Sequence, residues 1–214
     1  MILHEVFESE DHPVYQALQI SNGARQYDFL RSAVGASLES GRDFLSTNVI
    51  KALNFHAITC LHVNAGEFRP CGVVVGQGAD AYHPPQPFQV QARMDDVVDI
   101  VNRNWETAGE ISLAAFVLWQ LNRVHPFING NGRTARAASY FVLCLKFKQW
   151  LPGKTILPEL LSRDRPDYVA ALKKADQGDL VPLQELLSKL LNEQIESANG
   201  TQPPDLPDPE AQPI

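Results

Sequence analysis

His125-Pro126-Phe127-Ile128-Asn129-Gly130-Asn131-Gly132-Arg133-Thr134-Ala135-Arg136 is the stretch on which the reading of this chain turns. It places a titratable imidazole, a glycine-rich turn and two arginines three residues apart within one short run. Upstream, residues 111–124 read as a largely buried helix, because Leu113, Phe116, Val117, Leu118, Leu121 and Val124 recur at helical spacing over a run too long for a typical strand. Pro126 ends that helix, since the residue before a proline is driven out of helical geometry. Gly130, Asn131 and Gly132 all tolerate tight turns. A second helix resumes at about Arg133 and carries Ala137, Ala138, Tyr140, Phe141, Leu143, Cys144 and Leu145 inward. A glycine-rich turn that opens a helix leaves free N–H groups at the positive end of the helix dipole, which suits an anion. Arg133 and Arg136 project from neighbouring helix positions with fork geometry that matches phosphate oxygens. His125, with an ordinary imidazole pKa of about 6.5, can accept a proton from a hydroxyl near neutral pH.

The same run resembles the Fic-family motif HPFx(D/E)GNGRxxR and departs from it at Asn129, which stands at the acidic position. The resemblance extends through Cys60-Leu61-His62 with Gly66-Glu67-Phe68-Arg69, and through Val73-Val74-Val75-Gly76 followed by His83-Pro84-Pro85 and Met94. It continues in Arg165-Pro166-Asp167-Tyr168, Ala171-Leu172, Ala175, Gly178-Asp179 and Pro182-Leu183, so that roughly residues 45–190 are covered. It implies a mainly α Fic fold, a helical bundle with one short β-hairpin or flap. It further implies a nucleotidyltransferase that moves AMP from ATP onto a Ser, Thr or Tyr hydroxyl of a target protein.

In the family's terms His125 is the general base. The Gly130, Asn131 and Gly132 backbone forms the anion hole at the α-phosphate, Arg133 and Arg136 hold the β and γ phosphates, and Phe127 anchors the loop. The family's acidic residue at the Asn129 position binds Mg²⁺. Asn129 offers the ion (Mg²⁺ or Mn²⁺) only a neutral amide oxygen, either directly or through water, with weaker affinity. The alternatives are a weakly active or inactive nucleotide- or peptide-binding module on the same fold, or transfer of another nucleotide. Doc-type members carry lysine where this chain has Gly132, which favours nucleotidyl transfer over phosphorylation. Val73, Val74 and Val75 on one arm and Phe88 and Val90 on the other are the expected flap, which binds a target strand by backbone pairing. Family members are often held off by a helix with (S/T)xxxE(G/N). The nearest stretch is Gly35-Ala36-Ser37-Leu38-Glu39-Ser40, which makes Glu39 the candidate inhibitory residue, with a separate inhibitor protein as the other route.

The remainder of the chain sets the frame. With 214 residues and 44% apolar content, one helical domain with a sizeable core is expected. The segments expected are an N-terminal helical piece over 1–42 with a regulatory role, the Fic domain over 43–198, and a proline-rich, acidic, disordered tail over 199–214. A net charge of −7 without a basic block excludes a general nucleic-acid surface. No signal peptide or long apolar run is present, so a cytoplasmic protein without membrane spans is expected. Cys60, Cys71 and Cys144 lack metal-site spacing; Cys60 and Cys144 fall on apolar helix faces and read as buried free thiols. Helical patterns also cover 13–32, 43–63, 94–105, 165–176 and 182–197. On the second of these Phe44, Val49, Ile50, Leu53, Ala57 and Leu61 form the core stripe; on the third, Val97, Val98, Ile100 and Val101 face inward. Residues 67–90 hold the one good strand signal.

Overall fold

The central element of the structure, a computed structural model that describes residues 9–78 and 81–199, is the helix following the glycine-rich turn. The described residues form eight helices: α1 (Pro13–Ser40), α2 (Thr47–Ile58), α3 (Pro87–Arg103), α4 (Glu110–Val124), α5 (Asn131–Lys146), α6 (Leu157–Arg163), α7 (Arg165–Asp176) and α8 (Val181–Asn199). In α5 every residue from Thr134 to Leu145 is buried. A helix apolar on all sides belongs at the middle of a bundle, and α5 packs against α1, α2, α4 and α6. Its partner α4 runs up to the turn at 125–130, so the motif joins the two most deeply packed helices.

The remaining helices enclose this pair. α1 is capped by His12, whose Nδ1 accepts from Val14 N–H at 3.2 Å, and it begins with Pro13 in the first helical position. Gly41, at φ 64°, ends it. Its buried stripe mixes Leu30 and Val34 with the amides Asn22 and Gln26, which donate to Thr59 O (2.8 Å) and Leu53 O (2.9 Å). Leu30 and Val34 join the same core as α4, α5 and α8, so α1 is packed into the bundle. At the other face Gln194 of α8 donates to the Tyr140 hydroxyl and to the carbonyls of Leu151 and Pro152, and it accepts from Leu157 N–H. Buried amides without such partners would each cost on the order of 1–3 kcal/mol.

Several expectations need correction. Phe88 and Val90 are not a strand arm: Pro87 starts α3 there, and Gln86 N–H donates to Gln89 Oε1 at 3.0 Å across the first turn. Phe88 is exposed on that turn and Val90 is buried in the core. The strand signal shrinks to one antiparallel bridge, in which Val75 and Tyr82 exchange backbone hydrogen bonds of 2.9 and 2.8 Å. Residues 79–80 between them lie outside the described residues, as does the tail beyond Asn199. Helix α6 lies outside the helical segments expected, and α1 runs on to Ser40. Phe44 and Ile100 are exposed rather than core. Cys60 lies outside α2 at φ 63° and is exposed, whereas Cys144 is buried, with its thiol pushed up to about 12 by burial. No described helix is long and apolar enough to cross a membrane.

Candidate active site

His125 is the first residue past α4 and takes a left-handed conformation, φ 50° and ψ 59°. For a residue with a Cβ this costs roughly 1–2 kcal/mol and persists only where neighbours over-determine it. The over-determination comes from Arg69. That side chain is buried, and its guanidinium donates to the carbonyls of His125 (2.7 Å), Cys71 (3.0 Å), Pro85 (2.5 Å) and Val124 (3.4 Å). Its own N–H donates to Pro126 O at 2.9 Å. One side chain thus fixes the turn that carries His125 and both ends of the loop holding the bridge. Burial pulls the Arg69 guanidinium below its ordinary range, yet the group keeps its charge at any pH the protein meets.

The imidazole of His125 is only partly exposed, with Nδ1 at 3.4 Å from Asn122 O. An N–H on Nδ1 suits that contact and leaves the Nε2 lone pair as the base. Asn122 is itself held, since its Nδ2 donates to the Tyr168 hydroxyl at 2.8 Å and to Leu118 O at 2.7 Å. Burial lowers the His125 pKa below 6.5; the contact with Asn122 opposes this and the nearby Arg69 charge adds to it. A lowered pKa keeps the ring neutral near pH 7, the form a general base requires.

After Pro126, Phe127 is fully buried, 5.6 Å from the Phe68 ring. Asn131 clasps Phe127 from both sides, its Oδ1 accepting from Phe127 N–H (2.9 Å) and its Nδ2 donating to Phe127 O (2.8 Å). The Asn131 side chain therefore shapes the turn. Gly130 sits at φ 75°, and a Cβ there would lie 2.7 Å from Ile58 Cγ2. Only glycine brings the turn this close to α2. Asn54 of α2 fixes the contact, donating to Asn129 O (2.9 Å) and accepting from Gly66 N–H (3.0 Å).

A cavity of about 370 Å³ opens above this turn, lined by His125, Ile128, Asn129, Gly130, Asn131, Gly132, Arg133, Arg136 and Arg165. Every motif residue expected to touch a nucleotide is there. Arg133 is engaged, donating to Ala57 O (3.0 Å) and Asn129 Oδ1 (3.3 Å). Arg136 is buried, and its Nε has no hydrogen-bond partner among the described residues. A buried guanidinium in that state is a strong anion acceptor. A second hollow of about 780 Å³, bounded by Gln19, Ile20, Tyr27 and Glu159, shares the same two arginines.

Glu39 is not brought to this site. It is exposed in the last turn of α1. The α1 residue that feels the Arg136 charge is Tyr27, twelve positions earlier and so roughly 18 Å away along the helix axis. Sequence reading missed Arg165 as part of the lining, along with Asn54 and Glu10. Asn54 carried a signal, a polar residue inside the apolar stripe of α2. Glu10 carried none: it precedes α1, yet its Oε1 accepts from Asn129 Nδ2 at 2.5 Å.

These features define a helical bundle in which a glycine-rich helix start, a histidine at its edge and three arginines line one cavity. The Fic/DOC family model matches residues 44–143, and the chain carries a domain of that family. Among curated relatives, Protein adenylyltransferase fic-1 of Caenorhabditis elegans is 34% identical over 128 residues, covering 59% of this chain and 23% of that protein. Protein adenylyltransferase Fic of Nematostella vectensis is 28% identical over 138 residues, covering 63% and 29%. This chain thus spans about a quarter of the length of these relatives. The solved Fic-1 (aa134–508) from C. elegans superposes with a TM-score of 0.66 at 26% identity, over 85% of this chain and 52% of that one. A Fic domain containing signaling protein from Bacteroides thetaiotaomicron has a TM-score of 0.71 at 21% identity, over 94% and 80%, and so shares the fold.

Proposed function

We propose that the chain is a protein adenylyltransferase, and the buried, unpartnered Arg136 Nε beside a neutral histidine is the observation that carries this reading. The target hydroxyl oxygen attacks the α-phosphorus of ATP while its proton passes to His125 Nε2. The bond from the α-phosphorus to the bridging oxygen breaks, and pyrophosphate leaves. The backbone N–H groups at Asn131 and Gly132 meet the charge that builds on the α-phosphate oxygens, a role that preorganised amides fill well, while that of Gly130 joins them only on releasing Asn129 Oδ1, to which it donates at 2.5 Å. Arg133 and Arg136 hold the leaving diphosphate, and Arg165 on the cavity wall adds a third cation. Arg133 would exchange its bond to Asn129 for phosphate as the nucleotide enters.

A divalent ion, Mg²⁺ or Mn²⁺, neutralises phosphate charge in transfers of this kind. Asn129 would offer such an ion only its neutral amide oxygen, which in this structure accepts from Gly130 N–H (2.5 Å) and Arg133 (3.3 Å). The Val73–Val75 arm is the surface on which an extended target segment pairs; Val74 is exposed there.

Intact-mass spectrometry after incubation with ATP and Mg²⁺ or Mn²⁺, alone and with candidate proteins, tests the proposal. An added AMP mass that vanishes in His125→Ala, while ATP binding persists, is the expected result. Absence of any adduct with every nucleotide tried would leave a nucleotide-binding module.

A further inference from the structure

We infer that Glu10 latches the side-chain amide of Asn129 over the glycine-rich turn, so that the amide oxygen takes donors meant for phosphate and the nucleotide site is held partly shut until the amide turns away. The inference rests on the proposed nucleotide site and deepens it, since it names a regulation of that site by a residue 119 positions from Asn129.

The amide is gripped at both ends. Asn129 Oδ1 accepts from Gly130 N–H at 2.5 Å and from Arg133 at 3.3 Å. Asn129 Nδ2 donates to Glu10 Oε1 at 2.5 Å and lies 3.0 Å from His62 Nε2. Chemistry forces this orientation. A carboxylate only accepts, whereas a backbone N–H and a guanidinium only donate, so the NH2 must face Glu10 and the oxygen must face the turn. The carboxylate is itself placed, because the Tyr15 hydroxyl donates to it at 3.2 Å and His62 Nε2 lies 3.6 Å away. Its main chain is held too, with Gln16 Nε2 donating to Glu10 O at 2.6 Å. Tyr15 and His62 are both buried, with hydroxyl and Nε2 2.8 Å apart, so the latch leans on a fixed wall.

What the latch withholds can be read donor by donor. Of the groups that the transfer reading assigns to phosphate, Gly130 N–H and Arg133 are engaged by Asn129 Oδ1, and Arg133 gives a further bond to Ala57 O. Arg136 Nε has no partner among the described residues. One arginine stands open while the other is occupied. Burial lowers the Arg133 pKa, and Tyr15 and then Glu10 oppose it, so the carboxylate is felt at the guanidinium as well as at the amide. Glu10 thus reaches the turn through a neutral amide rather than by pairing with an arginine. The bond from Nδ2 to the carboxylate is charge-assisted and stronger than a neutral contact. Without it Asn129, which is only partly buried, can swing its amide toward solvent and free both donors.

The test measures binding of α,β-methylene-ATP to the full chain by calorimetry, with EDTA present so that no metal role of Asn129 enters the readout. Glu10→Ala removes the latch, and affinity should rise at least about fivefold, because the dissociation constant of an obstructed site is its intrinsic value divided by the open fraction. Asn129→Ala removes the obstructing oxygen and should give a rise of the same order. The double variant should bind no more than about twofold tighter than Asn129→Ala alone, because the carboxylate acts through the amide. Unchanged or weaker binding in Glu10→Ala, with circular dichroism matching the unaltered protein, overturns the inference. A full further gain from Glu10→Ala in the Asn129→Ala background overturns it as well, since that result marks plain repulsion of phosphate by the carboxylate. Should Glu10→Ala fail to fold, Asn129→Ala decides alone, and unchanged or weaker binding there has the same consequence. The transfer reading fails separately, through the absence of an AMP adduct in a protein that binds the analogue.

Discussion

At the scale of single residues, the site depends on keeping one imidazole neutral and one guanidinium unneutralised. Burial lowers the His125 pKa below 6.5, so the deprotonated form predominates at pH 7 and falls away under more acidic conditions. Single-turnover AMP transfer measured against pH should therefore show an acid limb whose midpoint lies below 6.5. A midpoint above that value would mean that the ring is solvated, or that another group is the base. These details were only partly legible in the sequence. The identity of His125, Arg133 and Arg136 could be read from the motif. The lowered pKa could not, because it arises from burial, with the Arg69 charge adding to it, and both exist only in the folded chain. The same holds for Arg69, which the sequence presented as one residue of a resemblance and the structure presents as a buried cation satisfied by carbonyls.

At the scale of elements, the α4–turn–α5 unit is the part that periodicity and punctuation settled in advance. Apolar spacing fixed α4, Pro126 fixed its end, and the glycines fixed the turn. Gly130 is the most constrained point, with Ile58 Cγ2 2.7 Å from any added Cβ and φ at 75°. Gly130→Ala should push the turn away from α2, cutting ATP affinity and AMP transfer at least about tenfold and lowering stability by roughly 1–3 kcal/mol. Calorimetry for ATP and a urea melt check the two effects. Arg69→Lys tests the clamp differently. A single ammonium cannot span the four carbonyls that the guanidinium serves, so transfer should fall at least about tenfold even where the protein still folds. Circular dichroism beside the mass assay separates the two outcomes. The elements that misled did so for physical reasons. Val73–Val75 has strand-forming residues but meets a single partner pair. Phe88 and Val90 are strand formers too, yet Pro87 at a helix start overrides them.

For the whole molecule, acid response follows from two partly buried histidines. His56 is pulled below 6.5 chiefly by burial, with the Arg25 charge adding to it, and His125 shifts the same way for its own reasons. Both take up a proton more readily when unfolded. Their contribution to stability is therefore complete above pH 6.5 and is lost as pH falls through the folded-state values. Urea melts at pH 7.5, 6.5 and 5.5 should show stability roughly flat over the first interval and declining over the second. Substituting Phe for His56, which stacks on Phe29 at 4.6 Å between ring centroids, should reduce that decline.

The mainly helical plan was legible from apolar content and spacing. What stayed hidden was how α1 is used: its apolar pattern gave a helix, but the buried amides Asn22 and Gln26 and the Glu10 contact required coordinates. The Arg69 clamp also has a mechanical consequence. Because the same guanidinium grips the base of the 71–85 loop and the His125 carbonyl, that loop and the imidazole are anchored to a common post. On the proposed function, a target protein seated against the loop would be registered against the imidazole, and tugging on the one would disturb the aim of the other.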